Sequence, residues 1–553
     1  MTCRSRFDGR AAKIMAHDVQ SMQRTLIRSR LLQIAAVWLA WSMAVTFCYY
    51  QTNVTFLRAE SGYFQIVSHS APAPHYDMLR HFFTHSYNGH YAPLAFSTEL
   101  ELTYLIGPRE PFWKWRQLAA VSFLATCLSL LVFSVARIHR LPGWHATVVA
   151  AGITAVFVFQ PLLREFVAWP FLIFQLTAFI LTALTVFALV QWTKAPTRKS
   201  WIWLAAAFSY LSMNAIGFGL ATVLATAAVF AACLCGLYAG KLKQFLPVGR
   251  TLLAALATLL LFAAAHVICM QVLRPPGIHA PTLASVDSPS IDLGFSMMAF
   301  LDMMHALISF NPPPYFANPV VVGNLWPWGL FFLTLAISLL ILRARACLRE
   351  PSTEHLVQFA LYCFSITAFF AFLAMMIARH VIDSDPSPIY TYLVGSRYLV
   401  PGNFMLFGSV AAVAVTASRR APNAGALLFL ILGLTALIAG RQFGVTTYRQ
   451  IDPRAEISHA KAWRSLASLA RECRAASLPV PNVPMAQLTE EFFDFDLKLY
   501  EPLLKYSLHL PAEKKIDFEP WEKIRGAELQ KYQSVAPSFR ELTRLLKLQV
   551  PNG

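Results

Sequence analysis

The feature that most constrains this chain is a series of ten long apolar runs separated by polar segments. About 20 mostly apolar residues are enough to cross the hydrocarbon core of a bilayer as a helix. Backbone groups find no water there, so a spanning segment must satisfy its own hydrogen bonds, as a helix does. The sequence therefore predicts an all-α polytopic membrane protein. The runs are 31–50, 118–137, 146–161, 170–192, 202–240, 251–272, 320–342, 357–378, 399–417 and 425–440.

The run 202–240 is too long for one spanning helix. Its middle contains MNAIGFG (Met213–Gly219), in which one asparagine and two glycines interrupt the apolar residues. We predict two spans there, which makes about eleven transmembrane helices in all.

The distribution of basic residues supports this division. Residues 1–30 carry seven Lys and Arg, and such residues accumulate on the cytoplasmic side of a membrane. With eleven spans, every short basic loop falls on the same side as the N-terminus, whereas a single helix at 202–240 would place the later loops outside. These loops are ARIHR (136–140), TKAPTRKS (193–200), KLKQ (241–244), RARACLR (343–349) and SRR (418–420).

Composition agrees with a membrane protein and argues against nucleic-acid binding. Only 14% of the residues are charged, against about 25% in soluble domains. The formal net charge is +17, but the cytoplasmic loops account for it, and a nucleic-acid site would need the basic residues on one soluble face. Most of the nine cysteines lie within apolar runs, so neither a disulfide framework nor a zinc site is expected.

The predicted topology divides the chain into three parts. Residues 1–30 form a cytoplasmic segment, residues 31–440 a transmembrane domain, and residues 441–553 a small external, mostly helical domain. The first external loop, 51–117, contains apolar residues at helical spacing from Tyr76 to Phe83, which predicts an interfacial amphipathic helix. Compact cytoplasmic loops and the lack of organelle signals favour the bacterial inner membrane, with the external segments in the periplasm.

Several external residues have the chemistry of a transfer site. A carboxylate of the first external loop near the lipid boundary could act as a general base on an acceptor hydroxyl. The carboxylates available there are Glu60, Asp77, Glu99, Glu101 and Glu110. Arginines bind phosphate through charge-assisted hydrogen bonds, which makes Arg164 and Arg397 candidate phosphate ligands. The candidates for further substrate contacts are His85 and His90, in HSYNGHYAPL, and Tyr398, beside Arg397.

Each candidate also has a structural interpretation. Glu60 could pair with Arg58 at the surface, and Asp77 could pair with Arg80 on one helix face. The two histidines could satisfy backbone groups in a turn, Arg164 could pair with other loops, and Arg397 could extend to the membrane surface. The pair of aspartates in DSDPSP (383–388) is typical of an exposed turn, so no metal site is predicted, although a requirement for a divalent metal stays open.

Four stretches resemble the C-type glycosyltransferase (GT-C) superfamily, which includes protein mannosyltransferases and lipid-linked aminoarabinose transferases. They are RAESGYF, YNGHYAPL, LREFVAWPFLIFQL and GSRYLVP, and the resemblance covers residues 31–440. It implies a GT-C-like fold, a polyprenyl-phosphate sugar donor and a first-loop acidic residue as catalytic base. Many members have two adjacent acidic residues in that loop. Here Ser61 follows Glu60, so Asp77 stays a competing candidate.

The resemblance predicts a membrane glycosyltransferase, transferring a hexosyl or pentosyl group. It would move the sugar to a glycan, lipid or protein acceptor on the periplasmic side. Two other classes stay open: a transporter or flippase of lipid-linked glycans, and a non-catalytic envelope assembly factor. Transporters tend to show internal repeats with paired broken helices, and only the run 202–240 is obviously interrupted here.

Overall fold

Long apolar helices form the greater part of this protein. The computed structural model describes residues 31–54, 91–107, 109–160, 163–272, 326–380, 396–442, 468–483 and 514–546, with isolated positions at 76–84, 461–466 and 501–510. Eight of the described helices are long and apolar enough to cross a membrane, and a ninth, of 16 residues, is shorter but also apolar. The prediction of an all-α polytopic membrane protein is confirmed.

Each of the eleven predicted spans corresponds to a helix. The first external loop adds helix α2 (Pro93–Ile106), and the second external turn adds the short helix α5 (Arg164–Ala168). The corresponding helices are α1 (Leu31–Tyr49), α3 (Glu110–Ile138), α4 (Gly143–Val158), α6 (Ile173–Lys194), α7 (Lys199–Ala215), α8 (Gly219–Tyr238), α9 (Gly249–Val272), α10 (Trp326–Arg349), α11 (Thr353–His380), α12 (Ser396–Arg420) and α13 (Pro422–Gln442).

The long run 202–240 is divided where the sequence predicts. Helix α7 ends at Ala215, the backbone at Ile216 is extended, and α8 begins at Gly219. A Cβ atom at Gly219 would lie 2.1 Å from the carbonyl oxygen of Ser212, so only glycine allows the two helices to meet this closely. The break therefore results from a close backbone approach as well as from poor helix propensity.

Contacts among the short connections place them at one end of the bundle, which we call the basic end. Glu354, at the start of α11, lies beside Arg140 and Arg419, which follow or end α3 and α12. Gln244, between α8 and α9, donates to the carbonyl oxygen of Pro351 at 3.3 Å. The ring of Trp192, just before TKAPTRKS, lies 4.8 Å from that of Phe245, just after KLKQ. All five basic loops thus share one end, as the division into eleven spans requires. The opposite end, with 49–54, α2, 159–172 and the start of α12, is the loop end.

Helices α4 and α13 cross with almost no space between their backbones. A Cβ atom at Gly152 would lie 2.1 Å from the carbonyl oxygen of Phe429, and one at Gly433 would lie 3.0 Å from the Cα of Gly152. Small residues at such a crossing allow close van der Waals packing in a membrane, where the hydrophobic effect no longer favours association. This contact fixes α13 to the bundle, although most of its surface is exposed.

The described part of the C-terminal segment combines helices with a small sheet. Strands β1 (Val480–Asn482) and β2 (Phe518–Pro520) pair in parallel, and helices α14 (Gly526–Val535) and α15 (Pro537–Leu546) follow them. The sequence predicts a mostly helical domain there. Each strand has three residues and one proline, which is too little for a period-two pattern to indicate a strand.

We expect Gly152→Val to lower the free energy of unfolding by about 1–3 kcal/mol, because the added atoms overlap the backbone of α13. The measurement is unfolding of the purified protein in detergent. Gly143→Ala is the control on the same helix, since a Cβ atom at Gly143 meets no atom within 4 Å. Equal effects of the two substitutions would contradict this account of the crossing.

Candidate functional site at the loop end

The predicted site residues fall into two groups. Glu60, Asp77, His85 and His90 lie outside the described residues. Arg397, Tyr398 and Arg164 lie in described helices at the loop end. For Arg397 and Tyr398 only the helical backbone is described, in the first turn of α12.

Gln160 is the junction at which three spanning helices meet. The hydroxyl of Tyr49, at the end of α1, donates to the carbonyl oxygens of Val158 and Gln160 at 2.7 and 3.1 Å. The side-chain amide of Asn403, on α12, donates to Oε1 of Gln160 at 3.0 Å. All of these side chains are buried. The junction therefore fixes α12 relative to α1 and α4.

The same junction determines how far Arg397 is from the second external turn. Arg397 precedes Asn403 by six residues, which corresponds to about 9 Å along a helix axis. Pro401 has no N–H group, so the carbonyl oxygen of Arg397 lacks its usual helical partner. The GSRYLVP stretch thus begins a helix whose first N–H groups and Arg397 carbonyl have no partner within the helix, close to the Gln160 junction.

Arg164 lies inside the protein rather than at the surface. Its side chain is fully buried, and its guanidinium donates to the carbonyl oxygen of Gly440 at 2.8 Å. The guanidinium carbon lies 5.9 Å from the ring centre of Tyr49. These contacts connect α5 with the end of α13 and the end of α1. A role for Arg164 as a phosphate ligand stays a prediction.

A paired Glu99 and Arg116 connect the first external loop to the bundle. The Arg116 guanidinium donates to both oxygens of the Glu99 carboxylate, at 2.5 and 3.1 Å, and to the carbonyl oxygen of Pro170 at 2.7 Å. The guanidinium also lies 4.5 Å from the ring centre of Trp113. Helix α2 begins within YNGHYAPL, and Pro170 belongs to LREFVAWPFLIFQL. Two of the four quoted stretches are therefore joined through one arginine.

The electrostatics of Glu99 suit a structural role. Burial raises the pKa of the Glu99 carboxyl, and the Arg116 guanidinium opposes this by its charge and hydrogen bonds. Both carboxylate oxygens accept from Arg116, so they are occupied in this arrangement. Glu99 is thus poorly placed to take a proton from a substrate, and the role of the base stays a prediction for Glu60 or Asp77.

Further contacts hold YNGHYAPL and the second external turn in place. The Gln117 amide donates to the carbonyl oxygens of Phe166 and Trp169, at 2.7 and 3.3 Å. The ring of Tyr91 meets that of His266, on α9, at 5.7 Å in an edge-on arrangement. His266 lies within a predicted span, and it is buried as that position implies. Among the described residues, no group of three His, Cys, Asp or Glu could hold a metal ion.

Comparisons with known proteins give two structural similarities. No family model and no curated protein matches the chain. The crystal structure of apo ArnT from Cupriavidus metallidurans covers 92% of this chain and 88% of its own, with 13% identity and a TM-score of 0.37. The structure of ArnT bound to undecaprenyl phosphate covers 94% and 91%, with 14% identity and a TM-score of 0.33. Values this low do not establish a family, so the proposal below depends on the chain's own residues.

We expect Glu99→Ala to lower the free energy of unfolding by about 3–5 kcal/mol, because it leaves a largely buried guanidinium without its carboxylate. Glu541→Ala is the matched control. Glu541 pairs with Arg544 at 3.9 Å, and both side chains are more than half exposed, so its loss should cost under about 1 kcal/mol. Unfolding of both variants in detergent tests this difference, and a similar loss in both would contradict it.

The raised pKa of Glu99 also predicts a pH dependence. A group whose pKa is higher in the folded state contributes stability that is full below the unfolded value, here 4.5, and is lost as the pH rises through the folded-state pKa. Glu99→Gln keeps a neutral hydrogen-bonding group that does not titrate. The unfolding midpoint of the wild type, relative to Glu99→Gln, should fall as the pH is raised above 4.5. Parallel pH profiles would show that Glu99 titrates alike in both states.

Proposed function

We propose that this chain is a membrane glycosyltransferase with a GT-C-like fold. It takes a hexosyl or pentosyl group from a polyprenyl-phosphate donor and transfers it to a glycan, lipid or protein acceptor. The reaction takes place at the loop end, which faces the periplasm of a bacterial inner membrane.

One observation carries this proposal: elements from three of the four quoted stretches meet at the loop end. Arg116 joins the helix that begins in YNGHYAPL to the LREFVAWPFLIFQL turn. Gln160, four residues before Arg164, joins that region to the helix that begins in GSRYLVP. These stretches are far apart in sequence, so nothing local would bring them together. Their meeting supports a common site at the entrance of the bundle.

Aromatic residues support a position of this site at the membrane surface. The rings of Tyr50 and Trp115 lie 5.9 Å apart, both are about half exposed, and the Lys114 ammonium lies 5.2 Å from the Tyr50 ring centre. Such amphipathic side chains mark the boundary between lipid and water. Glu60 follows Tyr50 by only ten residues. The proposal places the Glu60 carboxylate at this boundary, where the headgroup of a lipid carrier also lies.

The proposed mechanism requires two charged groups. Arg397 binds the donor phosphate, and the N–H groups at the start of α12 favour the same negative charge. Glu60 or Asp77 takes the proton of the acceptor hydroxyl, whose oxygen attacks the anomeric carbon. The bond from that carbon to the phosphate oxygen breaks, and the polyprenyl phosphate leaves with the electron pair. His85, His90 and Tyr398 are proposed to contact the donor or acceptor.

The assay uses protein in nanodiscs with a panel of undecaprenyl-phosphate-linked sugars and cell-envelope acceptors. A new glycosidic product, together with released undecaprenyl phosphate, supports the transferase. Movement of the donor between leaflets without product would instead indicate a flippase, and neither activity would indicate an assembly factor.

We expect one of Glu60→Gln and Asp77→Asn to abolish turnover while donor binding persists, because the acceptor proton then has no base. The other substitution should leave most of the activity, which identifies the residue. Turnover is measured as released undecaprenyl phosphate under single-turnover conditions. Full activity in both variants would remove both candidates.

We expect Arg397→Ala to weaken donor binding about tenfold or more, since a charge-assisted hydrogen bond contributes about 1.5–3 kcal/mol. Arg109→Gln is the matched control, because Arg109 is an exposed arginine at the same end, immediately before α3. Binding of undecaprenyl phosphate to both variants is measured by titration in nanodiscs. Unchanged binding by Arg397→Ala would exclude the phosphate role.

A further inference from the structure

At the basic end, three basic side chains lie around one carboxylate, that of Glu354. Glu354, in the first turn of α11, accepts from Arg419 at 2.5 Å and lies 3.7 Å from Nε of Arg140. His139 approaches the same carboxylate to 3.8 Å. We call these four residues the Glu354 cluster. They connect the ends of α3 and α12 to the start of α11.

The backbone at Arg140 is in a conformation that usually requires glycine. Arg140 has a φ of 60°, and the hydrogen bond from Leu141 N–H to the carbonyl oxygen of Ala136 closes the end of α3 around it. At the same end of the bundle, α8 closes in the same way around Gly240, with a φ of 70°. Glycine takes this conformation without steric cost, whereas arginine does not. The Arg140 side chain therefore has a use that offsets the strain.

That use goes beyond holding Glu354. Nε of Arg140 lies 3.7 Å from the carboxylate, longer than a hydrogen bond, and 83% of the Arg140 side chain is exposed. Arg419, also partly exposed, already contacts the carboxylate closely. Exposed pairs of the Arg140 kind contribute about 0–1 kcal/mol, so this contact does not account for an arginine in a position that suits glycine.

The Glu354 cluster carries an excess of positive charge. Burial lowers the pKa of His139, Glu354 opposes this effect, and nearby basic groups lower the pKa further. His139 is therefore neutral near pH 7, and two guanidinium charges stand against one carboxylate. Arg343, which acts on His139 through its charge, adds another positive charge nearby. The local balance suits a ligand with one or two negative charges.

The residues around the Glu354 cluster are of the kind that contacts lipid headgroups and acyl chains. Trp144, four residues after Arg140, is 59% exposed and stacks on His145 at 3.6 Å, as expected of a side chain at the lipid–water boundary. His145 in turn contacts Asn423 at the start of α13, whose Leu427 and Leu428 side chains are more than half exposed. An apolar surface thus continues from the cluster along α13, where acyl chains can lie.

We propose that the Glu354 cluster binds the phosphate of an anionic phospholipid at the basic end of the bundle. The terminal NH₂ groups of Arg140, together with Arg419, donate to the phosphate oxygens, a geometry that guanidinium groups favour. The acyl chains lie against α13. This site is at the opposite end from the proposed transfer site, and it does not depend on that proposal.

The test measures thermal unfolding of the full chain in nanodiscs made of phosphatidylcholine, with or without phosphatidylglycerol, and with or without added inorganic phosphate. Native mass spectrometry of the released protein counts retained phosphatidylglycerol. The variant is Arg140→Gly, which relieves the backbone strain and so should fold well. Arg198→Gln is the control, because Arg198 is an exposed arginine in another loop at the same end.

We expect phosphatidylglycerol to raise the unfolding midpoint of the wild type and of Arg198→Gln, with inorganic phosphate having no such effect. In Arg140→Gly the affinity for phosphatidylglycerol should fall about fivefold, as expected from removing one basic residue near a membrane surface. Equal responses of Arg140→Gly and the wild type would overturn the proposal. A response to inorganic phosphate equal to that of phosphatidylglycerol would overturn the assignment to a lipid.

Discussion

The structure depends on one constraint: a carbonyl group at the end of a membrane helix has no helical partner, and lipid offers none. At the loop end, side chains fill this need. Tyr49 donates to the carbonyl oxygens of Val158 and Gln160, Gln117 donates to those of Phe166 and Trp169, and Arg164 donates to that of Gly440. Each bond satisfies a backbone group and fixes one helix relative to another. The buried polar side chains of the loop end thus serve first to satisfy backbone carbonyl groups.

The two ends of the bundle meet this constraint differently. At the basic end the connections are short and close with turns of their own, as after Arg140 and Gly240, and most of the charged side chains there are exposed. At the loop end the connections are longer, and charged side chains such as Arg164 and Glu99 are buried in contacts with protein groups. Charge at the basic end is therefore accessible to lipid headgroups. The charged side chains at the loop end instead hold neighbouring parts of the protein together.

The sequence predicts the spans and the interruption near Ile216 because apolar length, glycine and loop charge are local properties. It predicts less about the site. The hydrogen bonds between Glu99 and Arg116 join residues 17 positions apart. Nothing in the sequence around Arg116, FWKWR (112–116), indicates which carboxylate this arginine binds. The buried position of the Arg164 side chain also depends on its hydrogen bond to α13, which lies more than 250 residues later in the chain. Strands β1 and β2 are too short to leave a pattern.

The buried contacts of Arg164 bear on which arginine binds a donor phosphate. A phosphate ligand must release its substrate product and bind again in every cycle. Arg164 holds the end of α13 from a fully buried position, so turning toward a phosphate would leave the Gly440 carbonyl unsatisfied. Arg397 begins α12 in a turn where helix N–H groups already favour an anion, and Asn403 keeps this turn close to Gln160. The buried contacts of Arg164 make it the less suitable of the two candidates, so the phosphate role is proposed for Arg397.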